Sequence, residues 1–99
     1  MVKKDEAARY LSDTAPEQCF WVNNGQVLRN LEELAASLEQ MSDDTYAYHA
    51  NNDRNDFSKW VNDIIGDTKL ANELLSSRSR DSALKKVRNR LNSLKKKAG

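Results

Sequence analysis

Residues 46–65 read YAYHANNDRNDFSKWVNDII and hold the only histidine, one of the two tryptophans and the clearest helical pattern in the chain. Phe57, Trp60, Val61, Ile64 and Ile65 recur at i, i+3, i+4, i+7 and i+8, which places all five on one face of an α-helix. An aromatic and aliphatic stripe of this kind has to be buried, so the other segments are expected to cover it. Asp53 is the expected N-cap of this helix, with Asp56 three residues on as its capping-box partner. Gly66 stands where a helix commonly ends in a left-handed residue.

Toward the carboxyl end, Asp67 is expected to cap a helix over 68–77 that buries Leu70, Ala71, Leu74 and Leu75. Residues 76–80 form a polar break. Asp81 then opens a last helix, whose Leu84, Val87, Leu91 and Leu94 fall at spacings of three, four and three, a narrow a/d seam. Toward the amino end, Ser42-Asp43-Asp44 caps a short helix over 43–50 carrying Tyr46, Tyr48 and His49. Asn30-Leu31-Glu32-Glu33 has the capping-box pattern and starts a helix running to about Met41, with Leu31, Leu34, Ala35, Leu38 and Met41 as its buried stripe. Cys19-Phe20-Trp21-Val22 and Gln26-Val27-Leu28 flank Asn23-Asn24-Gly25, so they are expected to pair as a hairpin with a tight Asn-Gly turn. Residues 2–13 give a weakly patterned first helix, stopped before Pro16. The expected fold is mostly α: a compact bundle of five or six short helices with one small β-hairpin at about 19–28, forming a single domain over 1–99. Its core should centre on Trp60, Phe57, Ile64, Leu34, Leu38 and Leu74.

Composition narrows the class. No apolar run approaches the roughly 20 residues that span a bilayer, and MVKKDEAARYL lacks the apolar centre of a secretory signal. A single cysteine, Cys19, leaves no internal disulfide and no zinc framework. The expected location is therefore the cytoplasm. Charge is uneven: residues 1–75 hold seven Lys/Arg and fourteen Asp/Glu, whereas residues 76–99 hold nine Lys/Arg and one Asp, so that a net +1 hides halves of −7 and +8. Such segregation means that the two parts meet, or that the basic part meets another anion.

Three readings of the basic segment follow. As a lid, the last helix lays its Leu/Val seam on the acidic body. As a contact arm, it meets nucleic acid through Arg78, Arg80, Lys85, Lys86, Arg88, Arg90, Lys95, Lys96 and Lys97, since phosphate neutralisation needs only cations. The acidic body would repel that polyanion, and the segment has no aromatic side chain to stack on bases. As an interaction helix, it meets a protein partner or a second copy. An anionic membrane surface fits least, because four aliphatic residues without an aromatic make a small apolar face.

The one cluster suited to chemistry is His49, Asp53, Asn55 and Asp56, where a histidine beside carboxylates could hold a metal or move a proton. On a continuous helix His49, Asp53 and Asp56 would share a face, but Asn51-Asn52 interrupts it. Asp53 and Asp56 are also what a helix N-terminus calls for. Gly25, Gly66 and Gly99 stand apart, so there is no glycine-rich phosphate loop. Neither a cofactor nor a metal set is expected. Each of the Phe20/Trp21 and Tyr46/Tyr48 pairs should place at least one ring in the core.

The run from His49 through Asn51, Asn55, Asp56 and Phe57 to Trp60 resembles the H-x-N-x-x-x-N-D-F-x-x-W pattern of a small domain family of unknown function found mainly in archaea and bacteria. The resemblance spans Phe20 to Leu75 and takes in the Gly25 turn, the Asn30–Leu34 helix start and Ile65-Gly66-Asp67. It implies a shared helical fold and no defined activity. It also marks His49, Asn51, Asn55 and Asp56 as a polar network or recognition surface, and leaves the basic tail after Ser76 outside. The leading functional expectation is a non-enzymatic interaction or structural module. A weak, sequence-nonspecific nucleic-acid binder comes second, and a metal-dependent enzyme using His49 third.

Overall fold

A computed structural model describes residues 2–99. Among them are six α-helices and one two-stranded antiparallel hairpin. Helix α1 spans Lys4–Leu11, and a 3-10 turn at Pro16–Gln18 leads into strands β1 (Phe20–Trp21) and β2 (Val27–Leu28). Helices α2 (Leu31–Gln40), α3 (Asp43–His49), α4 (Asp56–Trp60), α5 (Thr68–Leu75) and α6 (Arg80–Ala98) follow. No helix among the described residues is long and apolar enough to cross a membrane.

The caps explain most boundaries. The Asn30 side chain accepts from Glu33 N at 2.8 Å, as the capping box requires. The return arm reaches one residue further than expected: Glu33 Oε1 accepts from Arg29 N at 2.8 Å. The hydrogen bonds from the Arg29 side chain and backbone hold the Glu33 carboxyl below the usual glutamate range. This link therefore stabilises the fold above that range and is lost as pH falls through the lowered value. Helix α3 is capped by Ser42, whose Oγ accepts from Thr45 N. Helix α6 begins one residue earlier than the Asp81 start, capped by Ser79 accepting from Ser82 N.

The central segment departs from expectation twice. Its helix starts at Asp56, capped by Asn55, whose Oδ1 accepts from Ser58 N at 3.0 Å; Asp53 is exposed in the preceding turn and caps nothing. The helix also widens after Trp60 into a π-turn over Val61–Ile65, closed by Gly66 N donating to Val61 O at 2.8 Å. A five-residue repeat rotates the last positions relative to the 3.6 period. Phe57, Trp60, Val61 and Ile65 are buried, whereas Ile64 moves to the rim, half-buried. Gly66 takes φ +91°, the left-handed geometry expected of it.

The hairpin pairs Phe20 with Leu28 and Trp21 with Val27. Its turn is not the two-residue Asn-Gly type. Gly25 N donates to Val22 O and Val22 N donates to Gln26 O, each at 2.9 Å, and Gly25 is the sole turn residue with positive φ. That is a three-residue loop with glycine at a bulge. Phe20 faces inward and Trp21 outward, as alternation demands.

Phe57, Leu31, Leu34, Leu38, Leu70 and Leu74 lie fully inside, with Trp60 6% exposed. Phe20 stacks on Phe57 with centroids 5.1 Å apart and meets Trp60 edge-on at 5.8 Å. The indole N–H donates to Gln18 O at 2.9 Å, so the ring's one polar atom is satisfied. Helix α6 packs against α1, α2 and α5, burying Leu84, Val87, Leu91 and Leu94. Arg90 of α6, 7% exposed, forks onto Asp67, 1% exposed, through Nε to Oδ2 at 2.7 Å and Nη2 to Oδ1 at 2.9 Å.

Two substitutions test this packing. Trp60→Ala should cost about 3–5 kcal/mol in denaturant unfolding; a loss under about 1 kcal/mol would show the ring is not a core element. Asp67→Asn, which leaves the Arg90 charge buried without its counter-ion, should cost about 3–5 kcal/mol. Asp63→Asn, at an exposed carboxylate, should fall within about 0.5 kcal/mol of the parent chain.

Candidate functional site

The sole histidine sits at the end of α3, 5% exposed, inside a ring of aromatic groups. Phe20 approaches it edge-on at 5.1 Å, Phe57 tilts against it at 5.4 Å, and Tyr48 crosses it at 4.9 Å. Both ring nitrogens are occupied. Nδ1 lies 2.9 Å from Asp56 Oδ2, and Nε2 lies 3.0 Å from the backbone N of Asn23 in the hairpin loop. A backbone N–H can only donate, so Nε2 must be the acceptor, and Nδ1 carries the proton and donates to Asp56. This fixes one neutral tautomer and ties three segments together: the hairpin loop, the α3 end and the α4 start.

Helix α3 stops at Ala50, so His49 and Asp56 do not meet along one helix. They meet because residues 51–54 fold back. Asn51 Oδ1 accepts from Asp53 N and Arg54 N, Asn51 N donates to Arg54 O at 2.8 Å, and Ala50 bridges Asn55. Asn51 Nδ2 donates to Ala47 O at 3.0 Å, holding the turn against the helix it ends. Arg54 crosses the same turn, donating to Tyr48 O at 3.0 Å and lying 3.6 Å from Asp56.

Of the four polar residues singled out in the sequence, His49 and Asp56 form the direct pair. Asn51 and Asn55 flank it and serve backbone groups. Asn55 Nδ2 donates to Leu74 O at 3.1 Å and Ser58 Oγ to Ala71 O at 2.7 Å, which together pin α4 to α5. Asp53 is exposed. Among the described residues no three His, Cys, Asp or Glu side chains are grouped to hold a metal ion. Cys19 is half-buried, with its thiol 3.6 Å from Ala15 O.

The nine basic residues of the last segment separate into groups. Arg90 is buried, with its Nε and Nη2 spent on Asp67. Arg80 reaches Asp43 at 2.9 Å and donates to Leu38 O at 2.8 Å, closing the α2 C-terminus. Arg88 pairs with Glu39, Lys95 with Glu32 at 3.0 Å, and Lys86 donates to Glu73 O at 3.4 Å. Arg78, Lys85, Lys96 and Lys97 are exposed. Nothing in the sequence beyond the −7 and +8 halves pointed to Asp67, Glu32, Glu39 and Asp43 as the partners of these cations. Asn23 likewise gave no sign that its N–H would meet the imidazole.

Fold and site together define a small helical domain built round a locked histidine, with a hairpin laid across the helices. The chain belongs to a family of unknown function (DUF5752), whose model matches residues 15–96. No curated protein and no solved structure matches it. The match runs through most of α6, so the basic segment belongs to the shared domain, contrary to the expectation that it falls outside.

The tautomer is directly observable. Long-range ¹H–¹⁵N correlation should show a protonated Nδ1 and an unprotonated Nε2 at neutral pH. His49→Asn should loosen the hairpin loop, seen as faster amide exchange at Asn23. The opposite tautomer, or a ring that titrates zinc without unfolding, would refute the lock.

Proposed function

We propose that this chain is a non-enzymatic interaction module that meets a protein partner through the outer face of its hairpin. One observation carries the reading: Trp21 is 70% exposed while standing directly across from Val27, itself 39% exposed. Aromatic anchors of this kind are enriched at the centres of protein interfaces. Rigidity supports the reading as well, because the loop is held by His49 and the Gln26 side chain by Ser37 Oγ at 2.9 Å. A catalytic role for His49 would require breaking either the Asn23 or the Asp56 bond. In this reading α6 is a structural cover more than an arm, since its apolar seam is buried and Arg80, Lys86, Arg88, Arg90 and Lys95 have partners within the chain. A polyanion contact would fall to exposed cations such as Arg78, Lys85 and Lys96, beside an acidic body.

The test places a photo-crosslinking residue at position 21 of the full chain and, separately, at Lys85 on the outer face of α6. One discrete adduct at position 21, a second copy of the chain included, and none at 85 is the expected outcome. Trp21→Ser should change stability by no more than about 0.5 kcal/mol, as expected of a ring that serves the surface and not the core. Equal, diffuse labelling at both positions would sink the proposal.

A further inference from the structure

A second region of the molecule has the makings of a small-molecule site. A cleft of about 620 Å³ opens where α1 and the last turns of α6 meet the start of α5. That is within the range of ligand pockets, roughly 300–1,000 Å³. Its walls divide by chemistry. Val2, Tyr10 and Leu94 give an apolar side, and Lys69, Arg90 and Lys96 a cationic one.

Arg90 is the informative residue. It is more than nine-tenths buried, and its Nε and Nη2 are spent on Asp67. Among the described residues no group accepts from its third nitrogen, Nη1. Arg90 nevertheless lines the cleft. A guanidinium held rigid by a buried carboxylate thus keeps one donor group for an incoming acceptor. Beside it lies the start of α5, where Asp67 takes the Leu70 N–H and Gly66 O the Thr68 N–H, so the cation offered there is the Lys69 side chain. The two carboxylates at the cleft are engaged: Asp67 accepts from Arg90 and Leu70 N, and Glu6 Oε1 accepts from Lys3 N at 3.2 Å.

We infer that this cleft binds a small amphipathic anion, with a phosphate or carboxylate head against Arg90, Lys69 and Lys96, and a short apolar body against Tyr10, Leu94 and Val2. A charge-assisted contact to a preordered guanidinium is the stronger kind of hydrogen bond. The apolar wall selects against inorganic ions. This site lies on elements other than the hairpin, so the two proposals stand or fall separately.

Phenyl phosphate is the probe, titrated into the ¹⁵N-labelled full chain. The expected result is saturable shifts confined to Thr68, Lys69 and the Arg90 Nε–H. Lys69→Gln and Lys96→Gln, both at exposed positions that leave the core intact, should each weaken binding about tenfold, the loss of one charge-assisted contact. Lys85→Gln, on the outer face of α6, should leave it unchanged. Non-saturating shifts spread along the lysines of α6, or equal weakening by Lys85→Gln, would overturn the inference. So would benzyl alcohol shifting the same amides as strongly as phenyl phosphate.

Discussion

Burial of the Asp67 carboxylate constrains most of the architecture. A carboxylate removed from water needs its lone pairs filled, and the cost of leaving it bare runs to several kcal/mol. Here Oδ1 caps α5 by accepting from Leu70 N, and both oxygens receive the fork of Arg90. The same side chain therefore starts one helix and fixes the rotation and height of another. Helix α6 cannot slide along its Leu/Val seam without pulling Arg90 off its partner. An apolar pair of equal volume would not set that register, because hydrophobic contact is non-directional. Gly66, in the left-handed conformation just before Asp67, turns the chain so that the carboxylate points inward.

The remaining cations of α6 follow from this placement. Once α6 lies across α1 and α2, Arg88 comes beside Glu39, Lys95 beside Glu32, and Arg80 over the last carbonyls of α2. Exposed pairs of this sort are worth about 0–1 kcal/mol each. They do not hold the helix down; the buried Leu84, Val87, Leu91 and Leu94 do. What the pairs achieve is charge balance, since an acidic body of −7 faces a segment of +8.

Much of this architecture could be read from the chain, and the failures have specific causes. The helices, their caps at Asn30, Ser42 and Asp67, and the four-residue seam of α6 were visible because they depend on neighbours within four positions. Arg90 looked like the other surface cations because its partner lies 23 residues away. Asp53 and Asn55 are both competent N-caps. Asn55 prevails because Asn51 consumes the amides of Asp53 and Arg54 in a local turn, so helical bonding begins only afterwards. Ile64 fits a 3.6-residue period and leaves the core only because the π-turn shifts it. The Phe20/Trp21 pair was legible in form, one ring in and one out, but only the fold decides that the outer ring stays exposed.

The His49 lock and the hairpin are best understood together. A ladder of two residues per strand is not stable in isolation. It persists here because Phe20 enters the aromatic core, Asn23 N–H is anchored on the imidazole, and Gln26 is held by Ser37. Each anchor acts on the inner side or the loop, leaving the outer pair of Trp21 and Val27 free of duty to the fold. A side chain displayed from a backbone that is already ordered loses less entropy when it is engaged. The polar residues buried beneath the hairpin thus matter to recognition indirectly: they hold still the surface that carries the exposed indole.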